Sequence, residues 1–276
     1  MQEKIRKLQG QIKEIDLDAL IVTNPVNIFY LTGIANFDSE KGFLLVVNAK
    51  DWRLITSRFY QSRVEGAIPV KNTVYVERGG SMSENAAEIL AKDENIGFER
   101  DTISYLQYEN LKKARRGKKL LPESDLVARM RTTKNETELA LVKKAAAITD
   151  KTFLELTKLI KPGVAELFLK RKVLEIMQDL GASGCSFDPI VASGKNAADP
   201  HYEGSNKKLK SGEMIVIDIG ARYKNYDADL TRMVFCRQGD RQIQGALPDC
   251  GRNPGKSAQR LRYRNAREAD FRQLRC

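Results

Sequence analysis

The sequence has 276 residues, of which 42% are hydrophobic, and this allows two domains or one large domain with a buried core. Its longest apolar runs, such as residues 43–47, have the length of a strand, so we expect no membrane-spanning helix. Residues 1–15 predict a charged amphipathic helix rather than a signal peptide. We therefore expect a cytoplasmic protein without a membrane partner.

The net charge of +11 is unevenly distributed. Residues 1–235 contain 37 basic and 32 acidic residues, whereas residues 236–276, the tail, contain 10 basic and 4 acidic residues. A modest excess of basic over acidic residues, spread over a large surface, does not favour nucleic-acid binding by residues 1–235. Three of the four cysteines also lie in the tail, at spacings that fit no zinc motif.

Strands and helices alternate in the first part of the chain. A helix over 1–15 precedes the apolar strand "DALIVTN" and a short helical stretch that Pro25 opens. Further strands are predicted at 42–48, 52–57, 73–77 and 95–99, and helical segments near 58–66, 81–92 and 102–116. This alternation predicts an α/β domain over residues 1–121, with both faces of its sheet covered. The basic run 112–120 predicts a solvated helix end and a loop.

A second unit is predicted over residues 122–235. Residues 135–161 carry apolar side chains at helical spacing, and Asn135 and Glu138 have the relation of a capping box. The next helix is predicted to stop at Gly181, which suits the position after a helix C-cap. Strand-like segments follow at 186–194, 214–223 and 230–235.

Three carboxylates lie in the predicted hairpin formed by "MIVIDIGARY" and "DADLTRMVF". If residues 223 and 224 form a two-residue loop, Asp218 faces Asp229 directly across the ladder, at a Cβ separation of about 5 Å. Like charges this close favour a shared proton or a bound divalent cation with oxygen ligands. Asp227 is then either a further neighbour of the site or a solvated side chain. The alternative for the whole pattern is an exposed polar hairpin with ordinary surface aspartates.

His201 is the only histidine of the chain and lies in the Gly/Asn/Pro-rich segment "VASGKNAADPHYEGS". Two interpretations stay open. The histidine is either exposed and bonded only locally, or it donates to a substrate carbonyl at the edge of a metal pocket.

The segments "SFDPIVASGKNAADPHY" and "LKSGEMIVIDIGARYKNYDADLTR" closely resemble the proline-specific metallopeptidases of the pita-bread fold, which are aminopeptidase P and prolidase of family M24. "NPVNIFYLTG" resembles the start of that family's creatinase-like N-terminal domain. "MRTTKNETELALVKKAAAITDKTF" resembles the helix that opens its catalytic domain. The resemblance covers residues 1–235 with its motifs in the family's order. It implies an α/β creatinase-like domain followed by the first half of an α+β pita-bread domain.

The resemblance also implies an activity. The family hydrolyses the bond before a proline, using water activated by two divalent metal ions such as Mn, Co or Zn. Asp218 and Asp229 match the first two of five metal ligands, and His201 matches a histidine that contacts the substrate carbonyl. The expected partners are proline-containing peptides and, for the intact family, a second subunit in a homodimer.

The chain departs from the family pattern after Asp229. No further histidine follows, and the remaining acidic residues, Asp240, Asp249, Glu268 and Asp270, lie in no family motif. We therefore expect the chain as given to bind metal weakly or not at all and to lack peptidase activity. Lysine outnumbers arginine 24 to 13 up to residue 235, but the ratio is 1 to 9 in the tail.

This abrupt change of composition indicates a tail that is out of frame. A one-base shift allows codons that encode a continued strand and an amphipathic helix, and sequencing the DNA around codon 235 tests this interpretation. The alternative is a natural disordered basic extension. For the chain as a whole, the alternatives are a non-catalytic binding or dimerisation module and a methionine aminopeptidase, which usually lacks the N-terminal domain.

Overall fold

The computed structural model of the protein describes residues 1–35, 42–115, 118–123 and 125–236. The chain forms two units, Met1–Thr133 and Lys134–Cys276. Among the described residues, none of the helices has both the length and the apolar character that crossing a bilayer requires. Apart from Cys236, the tail and the interpretations that concern it lie outside the described residues.

A six-stranded mixed sheet forms the centre of the first unit. Its strands lie in the order β4-β3-β2-β1-β5-β6. The central pairs β1–β2 and β2–β3 are antiparallel, whereas β3–β4, β1–β5 and β5–β6 are parallel. The strands are β1 (Ala19–Val22), β2 (Phe43–Asn48), β3 (Trp52–Ser57), β4 (Thr73–Val76), β5 (Ile96–Phe98) and β6 (Leu120–Pro122).

Helices cover both faces of this sheet, which confirms the predicted α/β class. In β1, Leu20 and Val22 pack into one core with the helices α1, α2 and α6, while Ala19 and Ile21 pack into another with α4 and α5. Successive side chains of a strand point to opposite faces, so burial on both faces requires a continuous apolar run. The helices are α1 (Gln2–Glu14), α2 (Pro25–Thr32), α3 (Gln61–Val64), α4 (Met82–Ile89), α5 (Tyr105–Ala114) and α6 (Leu126–Thr132).

The end of the first unit differs from the expected one. The helix α6 buries Leu126, Val127 and Met130 in the core shared with α1 and α2, so the unit extends to Thr133 rather than to residue 121. The strand β6 was not predicted, because it has only three residues and ends in Pro122. Proline is tolerated there because β6 is an edge strand.

The second unit combines two helices with antiparallel strands, as an α+β fold does. Its strands form two three-stranded sheets, in the orders β11-β10-β7 and β12-β9-β8. The helices are α7 (Glu136–Thr157) and α8 (Glu166–Asp179). The strands are β7 (Gly184–Cys185), β8 (Ile190–Ser193), β9 (Met214–Ile219), β10 (Ala221–Tyr223), β11 (Tyr226–Asp227) and β12 (Leu230–Phe235).

The predicted start of α7 and the predicted end of α8 are confirmed, whereas α7 ends at Thr157 rather than at residue 161. The Asn135 side chain accepts from the Glu138 amide and the Glu138 carboxylate from the Asn135 amide, each at 2.9 Å, which completes the capping box. Gly181 follows the C-cap of α8 with φ of 92°, a conformation that glycine adopts without strain.

The β9 strand decides where its aspartate lies. Ile215, Ile217 and Ile219 are fully buried and pack with α7 and α8 in one core. Because side chains alternate across a strand, Asp218 lies on the opposite face, where it is half-buried. The packing of three isoleucines therefore presents one carboxylate on the side of the sheet away from the helices.

Candidate active site

The turn of the aspartate hairpin falls one residue later than the sequence-based register assumed. Lys224 and Asn225 both have positive φ, 48° and 65°, and Tyr223 pairs with Tyr226. Positive φ at both central residues is the geometry of a type I′ turn, in which asparagine is favoured. The loop is thus 224–225 rather than 223–224.

This later turn changes the partner of Asp218. A loop displaced by one residue moves every cross-strand partner by two, and Asp218 faces Thr231 instead of Asp229. The prediction of a direct pair is therefore wrong. The Thr231 hydroxyl donates to Oδ1 of Asp218 at 2.7 Å and orients that carboxylate.

The two carboxylates nevertheless meet. Asp229 lies two residues before Thr231, so it is a diagonal neighbour of Asp218, within reach of a side chain. Burial, the charge of Asp218 and a hydrogen bond between the two carboxyl groups raise the pKa of Asp229. The exposed Asp229 and the half-buried Asp218 therefore form a pair that favours a shared proton or a cation.

Gly220 makes this approach possible. It lies between β9 and β10, where a Cβ atom would collide with the Ala228 carbonyl oxygen and with Oγ of Ser186. The Ser186 hydroxyl donates to the same carbonyl at 2.8 Å and fixes the crossing strand. Since Asp229 directly follows Ala228, the missing side chain at Gly220 allows the Asp229 backbone to pass close to β9.

Asp227 belongs to a different interaction. Its carboxylate accepts from Nε and Nη2 of Arg222 at 2.7 Å and 3.2 Å, and Arg222 is its direct partner across the hairpin. A bidentate arginine pair uses the oxygens that a metal would need. Of the two interpretations that the sequence left open, the structure favours the solvated side chain, because Asp227 is exposed and forms a surface ion pair with Arg222.

The structure does not bring His201 into hydrogen-bonding contact with either aspartate among the described residues. Its side chain is exposed, and its backbone amide donates to Oδ1 of Asp199 at 2.9 Å. The loop that carries it leaves β8 at Ser193, whereas Asp218 pairs with Ile190 at the other end of that strand. Three residues along a strand separate these ends by about 10 Å.

Glu166 is a polar residue near this loop that the sequence did not single out. It is fully buried at the start of α8, and its carboxylate accepts hydrogen bonds from Ser193 and Tyr202. An acidic residue in the first turn of a helix is common, so its type and position gave no signal. Within the described residues no cluster of three or more potential metal ligands occurs, and the two aspartates stand as a pair.

Two family models match the chain in the order that the fold suggests. The Creatinase/Prolidase N-terminal domain matches residues 4–133, and metallopeptidase family M24 matches residues 140–248. The first match ends where the first structural unit ends. The second match extends past Cys236 into the tail.

Curated relatives and solved structures agree with both models. The chain is 31% identical over 244 residues to the "Uncharacterized peptidase YqhT" of Bacillus subtilis, covering 88% of this chain and 67% of that protein. It is 29% identical over 235 residues to the Xaa-Pro dipeptidase of Pyrococcus furiosus, covering 85% of this chain and 65% of that one. The solved Xaa-Pro dipeptidase from Bacillus anthracis superposes with a TM-score of 0.76 at 29% identity, covering 87% of this chain and 66% of its own.

The chain thus spans about two thirds of the length of the relatives it matches. Its two structural units follow the order of the two matched domains. The chain belongs to metallopeptidase family M24, with a creatinase/prolidase N-terminal domain followed by part of the M24 domain.

Proposed function

We propose that this protein is an Xaa-Pro peptidase and that Asp218 and Asp229 contribute ligands to its divalent-metal centre. The observation that carries the proposal is the contact between these carboxyl groups, since burial and the neighbouring Asp218 together raise the pKa of Asp229. The names of the relatives, Xaa-Pro dipeptidase among them, supply the substrate class, which is peptides with proline as the second residue.

The pair fits hard divalent cations such as Mn²⁺, Co²⁺ or Zn²⁺. Both residues offer carboxylate oxygens, and a cation would relieve the repulsion between the two carboxylates. When bound, such ions lower the pKa of water and stabilise a developing oxyanion. The hydroxyl of Thr231 donates to Oδ1 of Asp218 and helps to orient that carboxylate.

His201 is proposed to act on the substrate rather than on the metal. Its exposed imidazole can donate a hydrogen bond to the carbonyl oxygen of the bond that is cleaved. This role requires the loop that carries the ring to hold it at a fixed position relative to the aspartates.

The proposal includes weak metal binding by the 276-residue chain alone. Two carboxylates and a single histidine, which is assigned to the substrate, are few ligands for two ions. We therefore expect no measurable peptidase activity from the isolated chain, and we include in the proposal the homodimer that the family resemblance implies. A non-catalytic binding or dimerisation module of the same fold is the second candidate, since fold alone does not fix function.

Calorimetric titration of the purified chain with Mn²⁺ tests the site. We expect weak binding by the wild type, and its loss in Asp218→Asn and in Asp229→Asn. Asp227→Asn is the matched control, because it removes a carboxylate of the same hairpin that is paired with Arg222, and its binding should equal the wild type. Equal weakening by all three variants, or no binding to the wild type, would reject the metal site.

A peptidase assay with an Xaa-Pro dipeptide and a longer Xaa-Pro peptide tests the expected inactivity of the chain, and any cleavage would exclude the non-catalytic module. Metal-dependent cleavage that His201→Ala reduces would establish a complete enzyme and contradict the expected inactivity. Metal binding without cleavage is the expected result. Light scattering of the same sample measures whether the chain forms a dimer.

A further inference from the structure

A buried carboxylate holds the loop that carries His201. Oε1 of Glu166 accepts from the backbone amide and hydroxyl of Ser193 at 2.7 Å and 2.6 Å. Oε2 accepts from Tyr202 at 2.7 Å, Asn196 at 3.1 Å and Ser205 at 3.2 Å. The side chain is fully shielded from solvent, so every partner belongs to the protein. The Glu166 carboxylate thus accepts hydrogen bonds from the end of β8 and from residues on both sides of His201.

The first turn of α8 also binds the backbone of the same loop. The amides of Glu166 and Leu167 donate to the carbonyl oxygens of Lys207 and Ser205, each at 3.0 Å. The loop therefore returns from β8 to the start of α8, and its two ends are fixed on one helix end. A loop of this length needs such anchors, because it has little secondary structure of its own.

The side chains on either side of His201 are joined through Glu166. Asn196 and Tyr202 both bond to Oε2 and also bond to each other at 2.8 Å. Residues 196–202 therefore form a closed segment whose two ends meet at the carboxylate. A second clamp lies just beyond, where Nζ of Lys170 donates to the Glu203 carbonyl at 2.7 Å.

Charge supports an ionised Glu166. Burial by itself raises the pKa of this carboxyl, but the hydrogen bonds from Ser193, Tyr202 and Asn196 outweigh it and lower the pKa below its ordinary value. Nζ of Lys207 lies 4.0 Å from Oε1 and provides a positive charge beside it. A charged, fully buried acceptor binds its donors more strongly than a neutral one, which suits a group that must fix a loop.

We propose that Glu166 is a positioning residue that fixes the loop 194–207 and, through it, the imidazole of His201 for the substrate. This inference rests on the proposed role of His201, but the holding of the loop is testable without any activity. Glu166 does not itself contact the proposed metal ligands among the described residues. Its effect on the reaction would pass through Asn196 and Tyr202 to the histidine between them.

Because the chain contains a single histidine, the NMR signal of its ring is unambiguous. In the folded wild type, the imidazole should give one sharp C2–H signal. In Glu166→Gln, which keeps the size of the side chain but removes its charge and one acceptor, we expect that signal to shift and to split or broaden. Amide exchange over residues 196–205 should rise by about tenfold as the loop opens locally.

Glu138→Gln is the matched control. Glu138 is also a buried glutamate of this unit, bonded to the Asn135 amide and the Tyr226 hydroxyl, away from the His201 loop. A general loss of stability would affect both variants, whereas the proposed role predicts an altered His201 signal in Glu166→Gln alone. An unchanged His201 signal and unchanged exchange in folded Glu166→Gln would overturn the proposal.

A second variant covers the case in which Glu166→Gln does not fold. Ser205→Ala removes one donor to the carboxylate, together with the bond that its hydroxyl accepts from the Lys207 amide, without changing the charge, and we expect faster exchange at 196–205. Unchanged exchange there would equally overturn the proposal. Mn²⁺ titration of each variant separates this inference from the proposed function, because Glu166→Gln should keep the wild-type affinity within about twofold. A wild type that binds no Mn²⁺ would reject the metal site and leave the loop result standing.

Discussion

At the scale of single residues, ionising the Asp229 carboxyl costs more free energy in the folded protein than in the unfolded chain. Burial and the neighbouring Asp218 raise the pKa of its carboxyl, so ionisation is less favourable in the folded protein than in the unfolded chain. A carboxyl with a raised folded pKa stabilises the protein only while it is protonated. Without metal, this contribution is lost as the pH rises from below the unfolded pKa through the folded one.

We predict that Asp229→Asn raises the melting temperature of the metal-free chain at pH 7. The variant removes the repulsion between two ionised carboxylates, which amounts to about 0.5 kcal/mol because the Asp229 side chain is exposed, or about 1–2 °C. Circular dichroism recorded during heating measures the melting temperature of both proteins. At about pH 3 the gain should vanish, because the Asp229 carboxyl, whose pKa is raised in the folded protein, is then mainly protonated.

Asp227→Asn provides the comparison for this prediction. It removes the same charge from the same hairpin but breaks the ion pair with Arg222, so it should not raise the melting temperature. Equal gains in both variants would mean that total charge, not the contact between Asp218 and Asp229, determines the effect.

The residue scale also shows what sequence alone could supply. Asp218, Asp229 and His201 stand out by residue type and spacing, and the carboxylate contact follows from the hairpin. Glu166 does not stand out, because its partners Ser193, Tyr202 and Ser205 lie 27, 36 and 39 residues away along the chain. Contacts between positions so far apart leave no local pattern.

At the scale of elements, the junction between β9 and β10 is a point where the hairpin has no room for an added side chain. A side chain at Gly220 would meet the Ala228 carbonyl and the Ser186 hydroxyl, and backbone cannot move as easily as the end of a flexible side chain. The same crossing positions Asp229 beside Asp218. Stability and the proposed metal binding should therefore both depend on this glycine.

We predict that Gly220→Ala destabilises the chain by about 2–3 kcal/mol and weakens Mn²⁺ binding. Urea unfolding and calorimetric titration measure the two effects. Gly184→Ala is the matched control, since Gly184 also lies in a strand of this hairpin region, but a Cβ atom added to it would meet nothing within 4 Å. A Gly220→Ala variant as stable as Gly184→Ala would contradict the crowding at this junction.

The register of the hairpin shows why element boundaries were harder to predict than element types. The apolar residues of β9 identified the strand, and the structure shows which of its faces is buried. The turn was ambiguous, because Tyr223–Lys224 and Lys224–Asn225 are both acceptable two-residue loops and only the φ values separate them. The shift of the turn by one residue decides whether Asp218 faces Asp229 or Thr231.

At the scale of the whole molecule, the two units could be predicted but not their border. Strands such as β1 and β2 are continuous apolar runs because both faces of their sheet are covered, and this pattern is visible in the sequence. The membership of α6 is not visible there, because an amphipathic helix does not show which of two neighbouring cores it covers. Its buried side chains assign it to the first unit.

We predict that residues 1–133 fold independently and that residues 1–121 do not. The shorter fragment loses α6, whose Leu126, Val127 and Met130 are 5%, 1% and 3% exposed. Burying three such side chains stabilises a domain by roughly 5 kcal/mol or more, which is comparable to the whole stability of a small domain. It also loses the Arg131 guanidinium, which donates to Oδ1 of Asn27 at 2.9 Å.

Urea unfolding should show a cooperative transition for 1–133 and none, or one at much lower urea, for 1–121. Met130→Ala in the longer fragment should cost about 2–4 kcal/mol, whereas Leu106→Ala, at a side chain that is 69% exposed, should cost little. Equal stability of the two fragments would place the border of the first unit before α6.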